Sequence, residues 1–332
     1  MGAPAYPRSP CRRTAVPRRR SVLAALSAAF VGATVLLGAP PAQAAPGDAD
    51  LAYRWAPLHH QDTSSSYYTA DCLAPVNYDG DWSTVDDWED LDANASRLTG
   101  TVYYSVAETE THWYITYAFF HPRDWKDYPL NLLSHENDME GQVEVVRKDG
   151  GEYGTLQAVV TLAHDNFYSY TPPGSPFTDG RENIDGTVIM QNYDGAQHPT
   201  SFQEARGHGA YAWDGTDFPG GDGIVYAPSR GAGSVPNGGN DRDARYGLTD
   251  LTTADSLWGR RNNTETYAKW GAFRGDNGQD NAAHAPWAWD DSNDGSDLQA
   301  GVIATDPAYL VSRYFGNTGD LSQTYLRNPY RS

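Results

Sequence analysis

The stretch from His112 to Val146, HWYITYAFFHPRDWKDYPLNLLSHENDMEGQVEVV, constrains the chain more than any other. In HWYITYAFF, Trp113, Ile115, Tyr117 and Phe119 share one parity, and Tyr114, Thr116, Ala118 and Phe120 share the other. A strand with large apolar groups on both parities has to be covered on both faces. Pro122, which has no N–H for a ladder, is expected to end it. A connecting loop follows, then His135-Glu-Asn-Asp138-Met-Glu140 running into Gln142-Val143-Glu144-Val145. The period of two puts Val143 and Val145 on one face and Asp138 and Glu140 on the other, with His135 folding toward them from the loop. With Asp124 from the end of the preceding strand, one imidazole and three carboxylates make a candidate site for a divalent cation. An oxygen-rich set with one His favours magnesium, calcium or manganese, and zinc enters if His164 joins as a second imidazole.

Residues 1–44 carry six Arg and no acid, then the apolar run Val22–Leu37 and the small-residue site Ala42-Gln43-Ala44. That pattern is an export signal, and it implies a secreted, extracellular protein. Arg19-Arg20 is compatible with either a twin-arginine or a Sec route. The apolar run is shorter than a membrane span needs, so the expectation for residues 45–332 is one elaborated domain without a transmembrane segment.

Past residue 44 there are 18 basic and 43 acidic residues, a formal charge of −25. Such a surface disfavours nucleic acid, whose phosphates need neutralising. Cys72 is the only cysteine of that part, so no intramolecular disulfide forms, and its acidic neighbours Asp71, Asp79 and Asp81 argue against a nucleophilic thiol. Abundant Gly, Pro, Tyr and Trp with no long helix-forming stretch read as mostly β with long loops.

Several local readings follow. Thr101–Val106 is expected to pair with 112–120, and Lys148-Asp-Gly-Gly to join strands 140–147 and 154–164 in a hairpin. Leu51–Pro57 and Val76-Asn-Tyr-Asp-Gly read as strand-turn pieces, and Thr187–Asn192 as a short strand after the Pro/Gly-rich loop 171–186. Short helices are expected over Ser83–Leu91 with Ser83 as cap, over Thr253–Trp258, and over Asp306–Tyr314 with Asp306 as cap and Pro307 at the first position. The glycine-rich region 214–247 reads as a lid or an insertion. Asp290, Ser292, Asp294 and Gly295 have the offsets of half a calcium loop, but Gly301 stands where its last acidic ligand belongs, so this is an acidic turn.

FFHPRD followed by H-x-x-D-x-E resembles the core of the necrosis-inducing (NPP1, Nep1-like) proteins. These are secreted β-sandwiches whose heptapeptide G-H-R-H-D-W-E follows a strand ending in a Pro-x-Asp turn; the Vps62-like proteins are related. The resemblance implies that Asp124, His135, Asp138 and Glu140 bind metal. Glu136 and Asn137 stand where the family has Arg and His, and Met139 where it has Trp. The His linked to activity is thus Asn137, so the resemblance implies metal binding rather than cytolysis. Thr161-Leu-Ala-His164 is similar to the family's S-A-H-G segment, and Arg206-Gly-His208-Gly-Ala-Tyr211 to the G-S-H-A-x-Y stretch of Vps62-like proteins. Read from residues alone, His164 is a strand-end hydrogen-bonding group and His208 a solvent-facing residue at a bulge between small neighbours.

No zincin, nucleophile-elbow, Walker or dinucleotide motif occurs. Two readings remain. In one, a cation organises a surface for a glycan or lipid head group; in the other, it activates water for hydrolysis of an ester or phosphoester, with Glu140, His164 or His208 as candidate catalytic groups. A purely structural metal in a secreted scaffold is the third.

Overall fold

The computed structural model describes residues 45–126, 134–277, 281–292 and 298–331, and residues 44–332 form one compact unit. The expected export signal lies outside the described residues, as do Asp294 and Gly295.

The fold is mostly β, as the composition implies. Its spine is a set of antiparallel strands: β2 (Thr101–Thr109), β3 (His112–Asp124), β4 (His135–Arg147), β5 (Thr155–Ala163) and β6 (Asn166–Thr171). The hairpins at 109–112 and 147–155 fall where the turn residues put them. On the other side of β2 the sheet continues through the parallel strands Ala244–Asp250 and Gly223–Ser229, then β1 (Leu58–Asp62), Ala196–Gln203 and Ala210–Tyr211. The sheet then curls until its two halves face one another. The His59 ring of β1 lies 4.3 Å from the Phe119 ring of β3, and Gln203 Oε1 lies 3.0 Å from His121 Nε2.

Every residue of β3 is buried. Its odd face meets β1, the strand Ala196–Gln203 and the helix α1 (Asp48–Trp55), where the Tyr117 hydroxyl donates to Ala52 O at 2.7 Å. The even face is covered by the C-terminal part, with Phe120 against Phe273 at 5.7 Å. Both-sided covering is thus what the two apolar parities of HWYITYAFF require.

Seven local readings are corrected. β3 does not stop at Pro122 but runs on to Asp124; the register passes from His121 opposite Asp138 to Arg123 opposite Glu136, so Pro122 needs no ladder bond. Leu51–Pro57 is not strand but the end of α1, because Leu51, Ala52 and Trp55 recur at helical spacing and Asp48 and Asp50 favour the helix start. The second helix, α2 (Asp87–Asn94), starts after Asp86, and Ser83 is held instead by the Asp81 carboxylate, so it caps nothing. Thr253–Trp258 is a run of turns, pinned where the Trp258 N–H donates to Leu251 O at 2.8 Å. The region 214–247 is no mere insertion: it contributes two adjacent parallel strands of the sheet, and a Cβ on Gly233 would clash with the Gly100 carbonyl. The strand expected at 187–192 is split into Ile184–Thr187 and Met190–Tyr193. Val76–Gly80 is turn, whereas Pro307–Tyr314 is the expected helix with Asp306 before it. No described helix is long and apolar enough to cross a membrane.

Gly141 sits in β4 opposite Ala118, where a Cβ would clash with the Tyr117 carbonyl and lie 2.6 Å from the Trp289 ring. Gly141→Ala is therefore expected to destabilise the protein by about 1–3 kcal/mol through overpacking, read as a lower midpoint in urea unfolding at unchanged slope.

Candidate functional site

The four predicted ligands are brought to one cleft of about 670 Å³, whose lining includes Asp124, His135, Asp138 and Glu140. His135 is not in a loop but is the first residue of β4, directly opposite Asp124, and its Nε2 lies 3.3 Å from Asp124 Oδ2. In an uninterrupted strand His135 and Asp138, three apart, would face opposite ways. Asn137 has φ of 60°, a conformation uncommon outside glycine. That residue, opposite the ladder gap at Pro122, resets the alternation so that His135 and Asp138 reach the same cleft.

Asp138 is anchored from below. Its Oδ2 lies 3.0 Å from His208 Nδ1, and His208 Nε2 lies 3.2 Å from Asp71 Oδ1. His208 is fully buried, not solvent-facing, and stacks on His121 at 3.9 Å. Burial alone would lower the His208 pKa; the bonds and charges of Asp138 and Asp71 outweigh it and hold it at about 10. Cationic His208 between two carboxylates is then the stable arrangement, and neighbouring His121 stays neutral, pushed well down by burial and by His208. Burial also opposes charge on His135, but the Asp124 bond and the Asp138 charge raise its pKa to about 8.

Glu140 is completely buried, with one oxygen accepting the His164 backbone N–H at 2.8 Å. Burial and the nearby Asp138 charge push its pKa well above the usual range. His164, at the end of β5, has φ of 61° and a half-exposed ring whose Nε2 lies 3.0 Å from Glu204 Oε1. That bond raises its pKa.

The donor set fits a divalent cation. Glu140 Oε2 and Asp124 Oδ1 are buried, belong to residues lining the same cleft and have no hydrogen-bond partner among the described residues, which is costly for a carboxylate unless a proton or a cation satisfies it. The bland alternative, a pair of structural ion pairs, explains His135–Asp124 and His208–Asp138 but not those two oxygens. The ligand atoms are not drawn tightly together: among the described residues, the spacing in which all lie within 4.8 Å of one another is met by Asp79, Asp81 and Asp86.

Several residues of the site escaped the sequence reading. Asp71 figured only as a neighbour of Cys72, and His121 only as a strand residue. Lys126, Lys269, Trp270, His284 and Asp290 also line the cleft, from segments far apart in sequence. Cys72 is buried, and burial more than its acidic neighbours pushes its thiol up to about 12.

A mostly β protein with a carboxylate–imidazole cleft is the class that fold and site define. No protein-family model matches the chain, and no curated protein matches it significantly. Solved structures similar to it are necrosis-inducing, toxin-fold proteins. One is Necrosis and Ethylene inducing Protein 2 from the causal agent of cocoa's Witches Broom disease, 15% identical over 65% of this chain and 90% of that one, with a TM-score of 0.31. Another, described as a toxin fold as basis for microbial attack and plant defense, is 14% identical over 75% of this chain and 88% of its own, also at 0.31. A third, NLPPya in complex with glucosamine, is 14% identical over 53% of this chain and 76% of its own, at 0.29. These neighbours are of the family whose motifs the chain resembles. At such TM-scores the overlap of folds is partial, so the chemistry of this chain has to be read from its own cleft.

His208 supplies a pH test. Its folded-state pKa of about 10 exceeds the ordinary 6.5, so its contribution to stability is complete below about 6.5 and is lost as pH rises through about 10. With chelator present, His208→Asn is expected to cost about 3–5 kcal/mol of unfolding free energy at pH 6, since two buried carboxylates lose their shared cation. The gap between variant and wild type should shrink as pH is raised to 10; a gap independent of pH would contradict the charged pairing.

Proposed function

We propose that this is a secreted protein that holds a divalent cation, magnesium or calcium before manganese or zinc, at Asp124, His135, Asp138 and Glu140, and recognises a glycan or lipid head group at the cleft around it. The observation that carries the reading is the pair of buried, unpartnered carboxylate oxygens, Asp124 Oδ1 and Glu140 Oε2, on one solvent-connected cleft. The surrounding groups suit a polar, ring-containing ligand. Trp270 lines the cleft and is 55% exposed, an aromatic face on which a sugar ring can stack. Lys126 and Lys269, two of three lysines in an acidic chain, also line it and can donate to hydroxyl or phosphate oxygens. The secretion half of the proposal rests on residues 1–44.

Bound there, a cation would draw ligand oxygens to itself and neutralise three carboxylates. The chain's own residues do the rest: His208 fixes the orientation of Asp138, and the His164 N–H fixes one oxygen of Glu140 so that the other faces the cleft. Burial and the Asp138 charge push the Glu140 pKa well up, so a cation bound there would compete with its proton and affinity would rise with pH.

One observation favours the hydrolytic reading as a second possibility. His164 is half-exposed, lies beside Glu140 and is oriented by Glu204, so it can exchange a proton with a substrate in the cleft. Fully buried His208 cannot touch substrate and would act only through Asp138.

Bound metal is measured first, and the metal-loaded and chelated protein is then taken to glycan and lipid arrays, with glucosamine and mannosamine as first probes because two solved neighbours hold them. Saturable, chelator-sensitive binding without turnover is the expected result; metal-dependent ester or phosphoester turnover lost in Glu140→Gln would replace it with the second reading. Asp138→Asn should weaken metal affinity at least tenfold. It should also abolish the stabilisation that saturating metal gives the wild type, about 2.7 kcal/mol at a hundredfold excess over the dissociation constant. A melting temperature indifferent to metal and chelator in the wild type would remove the cation from the proposal.

A further inference from the structure

A second, smaller cavity of about 240 Å³ opens at the sheet edge that ends in Ala210–Tyr211. Strand alternation builds its floor. His59 and Gln203 face β3, so their chain neighbours His60 and Phe202 point to the opposite face. The register sets His60 opposite Phe202 and Phe202 opposite Tyr211, which places three rings on that face across three adjacent strands. After Tyr211 the chain turns back over this row. The Trp213 ring stacks on His60 at 3.9 Å with 7° between the planes, and the Phe218 ring lies 6.0 Å from His60 and 6.5 Å from Phe202. The cavity is walled by Phe202, Tyr211, Trp213 and Pro219, with Asp214 and Asp217 also lining it.

The bland use of such rings is to cover a sheet edge. Covering would bury them, yet Phe202, Tyr211 and Trp213 all stay partly exposed. The returning loop is fastened by its own bonds: Trp213 Nε1 donates to Thr216 O at 2.9 Å, and Asp214 Oδ1 accepts the Thr216 N–H at 2.9 Å and its hydroxyl at 2.7 Å. The rings are therefore held in place without a ligand. Charge at the cavity is one-sided. Among the described residues no Lys, Arg or His lines it; Arg242 sits over Phe218 and donates to the Gly223 and Gly221 carbonyls. Burial pushes the His60 pKa down to about 4, so the ring behind Trp213 is neutral at physiological pH.

Aromatic faces carry negative potential, and carboxylates beside them add to it, so the cavity attracts a cation. A primary ammonium or a guanidinium brings several N–H donors that need acceptors, and walls of three rings and a proline supply few. A cation with an apolar surface and nothing to donate meets both conditions. We infer that this cavity binds a trimethylammonium group such as that of choline, with Phe202, Tyr211 and Trp213 as its aromatic walls and Asp214 and Asp217 as its counter-charges. The cavity shares no lining residue with the cleft of Asp124 and Glu140, so this site stands or falls independently of the proposed metal.

Choline is titrated into the mature protein by calorimetry with chelator present, beside dimethylbutanol, its uncharged isostere in which carbon replaces the quaternary nitrogen. The expected result is saturable choline binding, at least tenfold tighter than that of dimethylbutanol and unchanged in Asp138→Asn. It should weaken at least tenfold in Trp213→Leu and severalfold in Asp217→Asn. Asp217 is exposed, so its substitution keeps the test readable even if Trp213→Leu misfolds, which circular dichroism checks. Sedimentation with phosphatidylcholine vesicles separates the two sources of the group. Choline-competed pelleting assigns a lipid head group, and choline binding without pelleting assigns a free small molecule; both support the trimethylammonium site. No saturable choline binding, dimethylbutanol bound as tightly as choline, or choline binding unchanged in a folded Asp217→Asn overturns it.

Discussion

A buried imidazolium between two carboxylates joins the two facing halves of this sheet. His208 follows the strand Ala196–Gln203 in one half, Asp138 belongs to β4 in the other, and Asp71 closes the chain from the turn after β1. None of the three could be buried alone at tolerable cost, since each charge requires its partner. The halves must therefore meet in one registration, with His121 of β3 stacked on His208 and bonded to Gln203. Asp138 is fixed in direction by the same constraint, which is why the cleft begins where it does.

The cleft is the counterpart of that satisfied chain. Where His208 answers Asp138, no described residue answers Asp124 Oδ1 or Glu140 Oε2. One set of buried charges is thus satisfied within the protein while the adjoining set is left open at a solvent-connected cleft, and that contrast is what the proposed cation site rests on.

The sequence made β3, β4 and their neighbours legible because their apolar residues alternate or fill both parities, and period two survives any tertiary context. It went wrong where a short segment takes its conformation from distant packing. Leu51–Trp55 has helical spacing but is too short to stand alone and is held over Tyr117, while in 214–247 Gly233 packs so close to the Gly100 carbonyl that a Cβ would clash. Thr253–Trp258 has helical composition, but Leu251 captures its last amide and leaves only turns.

Of the site itself, the chain by itself pointed to Asp124, His135, Asp138 and Glu140 as a group, because a strand, a return and a second strand bring them close, while the left-handed backbone at Asn137 turns His135 and Asp138 to the same cleft. Only the tertiary structure decided that His208 is a buried orienting group, that Asp71 stands behind it, and that Trp270 and Lys269 overlook the opening. Those residues come from separate parts of the chain, and their roles depend on how the sheet curls. That curvature is set by the packing of whole layers, which no local period records.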